Sequence, residues 1–450
     1  MRCAAPRGTP KASPRPPLNF PGIRSCLLSP SFIRVTFMKQ ISGWSLLPLY
    51  MVILLDVAGI ILVMPVLTPL LLQADSGIVP LGTSPILRDF LYGLSLALFP
   101  LFMFFSTPVL GDLSDRYGRK KILLVCLVIS ALSYAIAALG VIGRSLTVLL
   151  LSRCVAGLAA GTQPIATAAI IDASSTPKAR SANLAWVVFS CSIGLILGPA
   201  VAGITANPDL VSWFGYDTPF WFATVVCLLN ALMLVFSLKE KTSLIQKDRV
   251  LSLTKGFSLF MAAFSERKFR LLSLLYFCFV ISWGFYYQTI NWIFMEEFHY
   301  GVGRLGFFVA YIGVIFALST GLVVRWVQQL VPRETTIFAV FVLCMSFANF
   351  GAAITHNEVA QWLWAILNAT GDVICYTMGL AIFSSLVDQD SQGWIMGVAG
   401  AIGAMTWAIA GLVIGPLGYL HLTLPLWISG VLCFTGFVLM LIYQAQTRTD

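Results

Sequence analysis

Gly111-Asp112-Leu113-Ser114-Asp115-Arg116-Tyr117-Gly118-Arg119-Lys120-Lys121 concentrates six charged side chains into eleven residues. An uncharged apolar run flanks it on each side, over 90–110 and 122–142, and each run has about the length that crosses a bilayer as a helix. The stretch reads as a tight inner loop between two membrane helices, with a glycine at each end, one acid in the middle and basic groups behind. Basic residues collect on the cytoplasmic side of membrane proteins, so Arg119, Lys120 and Lys121 give the loop a side as well as a place.

The pattern of this loop and its flanks extends over the chain. Of 450 residues, 58% are hydrophobic and only 10% charged. A soluble protein carries about 25% charged residues. The chain cannot cover a water-facing surface, which excludes a soluble enzyme, a secreted disulfide scaffold and a disordered regulator. The net charge of +9 does not point to nucleic acid, because the basic residues sit in short gaps between apolar runs. Ten cysteines include no Cys-x-x-Cys pair and lie mostly inside those runs, where they act as small hydrophobes.

Apolar segments are expected over 46–72, 89–110, 122–142, 146–171, 181–205, 219–238, 269–294, 303–328, 334–355, 358–386, 393–418 and 423–444. Residues 1–45 form a basic tail with no acid, expected to be disordered; they read as a transit peptide or as an over-extended start ahead of Met38. The organisation is then a six-helix bundle over 46–238, a cytoplasmic linker over 239–268, a second bundle over 269–444 and a tail over 445–450. Of 28 Lys and Arg, only Arg88, Arg144 and Arg304 fall in outer gaps and Arg153 within a span, which puts both termini in the cytoplasm. The three histidines fall near outer loops, so none is placed to relay protons through the membrane. The fold class expected is all-α membrane, with twelve transmembrane helices in two pseudo-symmetric halves. The halves repeat in sequence: Gly194-x-x-x-Gly198-Pro199 with Gly203 in segment five is echoed by Gly411-x-x-x-Gly415-Pro416 with Gly418 in segment eleven. Parallel repeats of this kind are common in secondary transporters, whose substrate site lies near the midplane between the halves.

The 111–121 string matches Gly-x-Leu-x-Asp-Arg-x-Gly-Arg-Lys at every fixed position, and so resembles the signature loop of the major facilitator superfamily. The resemblance implies a conformational latch, with Gly111, Asp115, Arg116, Gly118 and Arg119 as the gating residues. The matching loop of the second half keeps only Gly321 and Arg325. Segment four carries Arg153 and Gly157, similar to an Arg-x-x-x-Gly pattern that the family ties to proton coupling. An arginine in a span costs about 2.5–3.5 kcal/mol on insertion scales, so it should face protein or a wet cavity. Gly194, Gly198, Pro199 and Gly203 resemble the motif of the antiporter branch, with Ala202 in place of one glycine. As chemistry, that motif is a packing device.

Asp56 in segment one and Asp372 in segment ten lie deep within apolar runs. A carboxyl held away from water and from cations can gain and lose a proton near neutral pH, which is the requirement for a proton carrier. The string around Asp56 resembles the opening of the tetracycline/proton antiporter group, which implies a transport role for that residue. Gln163, Gln288, Asn291 and Asn368 are candidate cavity-lining groups, and Trp283, Tyr286, Tyr287 and Trp407 candidate walls for a flat amphipathic molecule; packing explains each equally well. No Gly-x-x-x-x-Gly-Lys loop, Gly-x-Ser-x-Gly elbow or His/Cys cluster occurs, so ATP-driven transport, hydrolase chemistry and a metal site are not expected. Gly301-x-Gly303-x-x-Gly306 has dinucleotide-loop spacing but falls in a short outer loop.

The expected function is export of a small organic or amphipathic molecule in exchange for protons, by a monomer of a bacterial inner membrane. No cofactor, metal or nucleic acid is expected. Two readings stand beside it: a transporter dedicated to one metabolite (a sugar, organic acid or siderophore), and a non-transporting membrane sensor.

Overall fold

The computed structural model describes residues 46–73, 76–80, 82–174, 176–237, 254–331, 333–388 and 391–449. The basic tail expected over 1–45, its start at Met38 included, lies outside the described residues, as does the first half of the linker, 239–253. The described residues form helices joined by turns and short irregular stretches, with no strand, and twelve of their helical stretches are long and apolar enough to cross a membrane.

Each apolar run becomes a helix because a bilayer leaves backbone polar groups no partner but one another. The first three spans are α1 (Leu47–Leu72), α2 (Pro85–Tyr117) and α3 (Arg119–Ile142). The fourth is broken into α4 (Leu146–Ala159) and α5 (Thr162–Ala173), and α6 (Pro177–Thr205) and α7 (Thr218–Ser237) complete the first half. A short helix, α8 (Lys255–Ser265), precedes the second half. That half contains α9 (Arg267–Glu296) and an eighth span made of α10 (Val302–Leu318), a π-helical turn over Ser319–Val323 and α11 (Val324–Leu330). It closes with α12 (Glu334–Ile354), α13 (Glu358–Ser385), α14 (Gln392–Leu420) and α15 (Leu424–Thr449). Side-chain caps start α4, α6 and α13, where Ser145, Thr176 and Asn357 accept from the N–H three residues on.

Three expectations change. The signature stretch is not a loop: Gly111 to Tyr117 are the last two turns of α2, and Arg119 opens α3. The whole corner is Gly118, whose φ of +98° is open to glycine and strained for other residues. Gly111, expected at a turn, sits in regular helix. The linker is not polar coil throughout, since Gly256, Leu259, Phe260, Ala263 and Phe264 share one face of α8 and bury it. The last helix runs through the expected tail to Thr449, because nothing after Gln444 breaks it; Thr447 donates back to the Tyr443 carbonyl.

The Gly118 corner and α8 lie at one end of the bundle, here called proximal, and Arg88 and Gly301 at the other, distal end. Within the first half α1 packs on α6, and α3 on α4 and α7; within the second, α12 packs on α13 and α15. The halves meet along α2 with α14 and α6 with α10. This seam is closest distally. A β-carbon on Gly411 would stand 2.7 Å from Ala97 N, and one on Gly306 would stand 2.6 Å from the Pro199 carbonyl. Proximally, by contrast, Gly321, Gly393, Gly400 and Gly403 meet no neighbour within 4 Å.

The repeated glycine motifs do different work. In the fifth span Gly194 and Gly198 press on α1 of their own half, and only Gly203 crosses the seam, to Gly303 and Gly306. In the eleventh, Gly411 and Gly415 both cross to α2, while Gly418 makes room for Trp292. Large exposed apolar side chains, such as Val125, Leu132 and Leu139 on α3 and Leu228, Leu232 and Phe236 on α7, form the outer surface expected against lipid.

Candidate functional site

The fourth span breaks at Ala160 and Gly161, near the middle of its length. Gly161 has φ +121°, a conformation natural to glycine, and Pro164, three residues on, lacks the N–H that would have bonded the Ala160 carbonyl. A break leaves carbonyls at one helix end and N–H groups at the other without helical partners. On the first side, the Ser106 hydroxyl of α2 donates to Gly157 O at 2.7 Å, and Thr107 reaches Ala160 O at 3.4 Å. On the second side stands Asp56 of α1. Its carboxylate faces the Thr162 hydroxyl and the Gln163 backbone N–H, the first two positions of α5. A carboxylate suits that place, because a helix N-terminus carries about half a positive charge.

Asp56 is half-buried, with residues of four other spans of the first half around it. Its electrostatic neighbours are Cys126 and Tyr134 on α3, Cys191 on α6 and Cys227 on α7. Gly194 and Gly198 fit against Leu54 and Ala58, the turns that bracket it, with would-be β-carbons 2.6 and 2.4 Å from those carbonyl oxygens. The antiporter-like motif is therefore a packing device placed on the Asp56 turn. Gln163 donates its side-chain amide to the Cys191 thiol at 3.4 Å.

Arg153 is buried on α4, its guanidinium 5.1 Å over the Phe99 ring, an arrangement that stabilises a desolvated cation. Its Nε has no hydrogen-bond partner, and among the described residues no ion pair joins it to Asp56 or Asp372. Tyr134 of α3 is an electrostatic neighbour of both Arg153 and Asp56. Its hydroxyl occupies the notch at Gly59, where a β-carbon would lie 1.8 Å from it. Gly59→Ala should therefore displace Tyr134 and cost about 1–3 kcal/mol as overpacking. Thermal unfolding in detergent would show a lowered midpoint, and the double variant with Tyr134→Phe should recover most of the loss.

Asp372, on α13, lies in the other half, with Tyr276, Tyr376, Cys375 and Cys433 as electrostatic neighbours. Two residues before it, Thr370 accepts from Ser319 at the start of the π-helical turn, at 3.1 Å. Each half thus holds one mid-depth carboxylate beside an irregular helix. Gln288, Asn291 and Asn368 have no exposed surface: Asn291 and Asn368 donate to carbonyls of their own helices, and the Gln288 amide has no partner. Trp283, Tyr286, Tyr287 and Trp407 do come together, with Trp283 5.6 Å from Tyr286 and 5.5 Å from Tyr287, and Tyr287 6.0 Å from Trp407.

At the proximal corner Arg119 reaches Asp115 at 3.3 Å and Asp172, near the end of α5, at 2.6 Å, while Arg116 stacks on Tyr117. Sequence reasoning passed over Asp112, which is buried and held by Lys255 of α8 through both carboxylate oxygens at 2.7 Å. Helix α8 sits against both halves, its Gly256 on the Phe104 carbonyl of α2 and its Leu259 beside Gly397 of α14. At the distal end, Tyr92 of α2 donates to the Gln288 carbonyl of α9 at 3.4 Å and packs on Trp292. A cavity of about 620 Å³ opens above them, lined by Arg88, Asp89, Trp292 and Glu296 among others.

Comparison with known proteins agrees with this architecture. The sequence model of the Major Facilitator Superfamily matches residues 46–411. The class B tetracycline resistance protein of Escherichia coli is 26% identical over 383 residues, spanning 83% of this chain and 88% of that one. Multidrug resistance protein 2 of Bacillus subtilis is 34% identical over 164 residues, 36% of this chain and 38% of that one. The crystal structure of the human organic anion transporter MFSD10 superposes with a TM-score of 0.65 at 21% identity, covering 88% of this chain and 99% of that one. The chain belongs to the Major Facilitator Superfamily and is an integral membrane transporter of small molecules.

Proposed function

We propose that this transporter exports a small amphipathic organic molecule from the cytoplasm in exchange for protons, and that Asp56 carries the proton. The observation that carries the reading is the setting of Asp56: a lone, half-buried carboxylate within the span, beside residues of four other spans of its half and facing the N-terminus of a broken helix. Buried charge of this kind is expensive, so a scaffold or sensor has little use for it. Broken helices whose ends meet ionisable groups are a recurring device of secondary transporters. The tetracycline and multidrug resistance proteins among its relatives point to efflux as the direction.

In this reading the proximal end is cytoplasmic, both termini lie there, and the membrane is a bacterial inner membrane. The described state has its outer seam closed. Asp372 serves as a second ionisable group in the other half. Arg153 biases Asp56 through Tyr134, and the Asp115–Arg119–Asp172 chain with its glycine corner governs opening to the cytoplasm. Trp407, half-buried beside the buried Trp283–Tyr287 cluster, offers an aromatic surface to a flat substrate. Proteoliposomes with an imposed pH gradient test this directly, screened with tetracycline, ethidium and common metabolites. Accumulation of amphipathic compounds that collapses with the gradient is expected; gradient-independent flux of one metabolite alone would refute it.

A second reading has one observation in its favour. Arg153 is a buried cation with no carboxylate partner among the described residues, which suits transport of an organic anion. Organic acids in the same panel decide between the two.

A further inference from the structure

The two sides of the break in the fourth span are tied to different helices, and the side remote from Asp56 has a specific owner. Ser106 can reach three carbonyls: Met103 O of its own helix at 3.4 Å, Ala160 O at 3.3 Å and Gly157 O at 2.7 Å. A hydroxyl has one proton, and the shortest contact takes it. Ser106 therefore leaves its own helix to hold α4. Gly157 is pressed against α2 at the same turn, since a β-carbon there would stand 2.5 Å from the Phe99 carbonyl. The bonded carbonyl also receives the Ala160 N–H at 3.2 Å, which closes the last turn of α4. One residue later Gly161 passes close to the Thr107 backbone, with 3.3 Å from its would-be β-carbon to Thr107 Cα. Then α5 begins, and its first two residues face Asp56.

We propose that Ser106 is a positioning residue for the Asp56 site: by holding the severed end of α4 it fixes where the N-terminus of α5 points. It does not touch Asp56 and carries no proton of the transport cycle. Its effect travels through Gly157, Ala160 and Gly161, a path with little slack. With no hydroxyl at position 106, the Gly157 carbonyl loses its side-chain donor and Ala160 O keeps only the 3.4 Å contact from Thr107. A bilayer supplies no water in exchange. The end of α4 then rotates toward whatever donor it can find, and α5 moves off Asp56.

The importance of Ser106 for transport rests on Asp56 being the proton carrier; its effect on the geometry does not, and the experiment separates the two. In the full-length protein in lipid nanodiscs at low pH, infrared difference spectroscopy gives the carboxyl C=O band of protonated Asp56, identified as the band that Asp56→Asn removes. Ser106→Ala is expected to move this band to higher wavenumber, because the carbonyl loses hydrogen bonds from α5. Ser106→Thr keeps a hydroxyl on the same β-carbon and should leave the band in place. Ser106→Cys, a weaker donor of similar shape, should move it part of the way and guards against an alanine variant that fails to fold. Folded Ser106→Ala or Ser106→Cys protein with the band at its wild-type position would overturn the proposal, whatever its thermal stability. Undiminished gradient-driven transport by Asp56→Asn would instead retire the proton-carrier reading and leave the positioning result standing.

Discussion

Asp56→Asn is expected to abolish gradient-driven transport while leaving insertion, folding and downhill substrate exchange intact. The argument is local. Asparagine has nearly the volume of aspartate, and its amide oxygen can still accept from the Thr162 hydroxyl and the Gln163 N–H that face Asp56. The break in the fourth span therefore keeps its partner, and the packing of Gly194 and Gly198 on this turn of α1 is untouched. What disappears is the ability to gain and lose a proton. Transport that needs no proton, measured as exchange of labelled against unlabelled tetracycline or of whichever compound the panel identifies, should persist near the wild-type rate. Uphill accumulation should fall to that of protein-free vesicles. Undiminished pH-driven accumulation would remove Asp56 from its assigned role.

Gly415→Ala should have an effect nearly as large, for a different reason. A β-carbon at 415 would stand 2.0 Å from the Asp89 carbonyl of α2 and 2.9 Å from Phe90 Cα. Both are backbone, so no side-chain rotation relieves the clash, and the only relief is separation of α14 from α2. The buried cluster around Leu123 and Ile165 lies wholly in the first half, while the one around Phe279 and Phe338 runs across both halves and includes Tyr92 and Leu96 of α2; the clash itself is confined to the distal seam, where the substitution should act. Overpacking of about 1–3 kcal/mol corresponds to a shift of roughly 5–150-fold in the equilibrium between distally closed and distally open states. Spin labels at Ile86→Cys and Leu420→Cys, exposed at the distal ends of α2 and α14, would report it in a background lacking the native cysteines. A longer distance in the Gly415→Ala protein is expected, with slower transport. An unchanged distance distribution would show that the seam is not the closing surface.

The spans were legible because a bilayer forces a simple code: an uncharged run of sufficient length becomes a helix. The corner at Gly118 was legible in kind but not in extent. Nothing in the charged stretch 111–117 stops a helix, so α2 runs on until glycine permits the turn. The break in the fourth span did leave a trace, in Gly161 followed by Pro164. Proline alone is a poor signal here, since Pro65, Pro69, Pro100, Pro108, Pro199 and Pro416 all sit inside unbroken helices. The pair works where the singles do not: glycine supplies the turn and proline removes the N–H that would have opposed it.

The site was legible in its charges and illegible in its contacts. Scarcity of charge made Asp56, Arg153 and Asp372 stand out, but a single sequence does not say which face of each helix meets which neighbour. Arg153 was expected to face protein or a wet cavity; it packs on Phe99, and Tyr134, an unremarked aromatic in an apolar run, is an electrostatic neighbour of both it and Asp56. Gln288, Asn291 and Asn368 were polar groups without an address, and they turn out to be enclosed. Asp112 was overlooked beside Asp115 because its partner, Lys255, lies 143 residues away. The periodic apolar face of α8 is visible in the sequence, set among the lysines that mark the stretch as a linker.

Coupling itself can be measured in one assay. Proteoliposomes loaded with a pH-sensitive dye and given no initial gradient should show proton movement when a transported compound is added down its concentration gradient. The protons should run opposite to the compound, and the signal should be absent with Asp56→Asn. Transport of the compound with no accompanying proton movement, or an equal proton signal from the Asp56→Asn protein, would contradict exchange through Asp56.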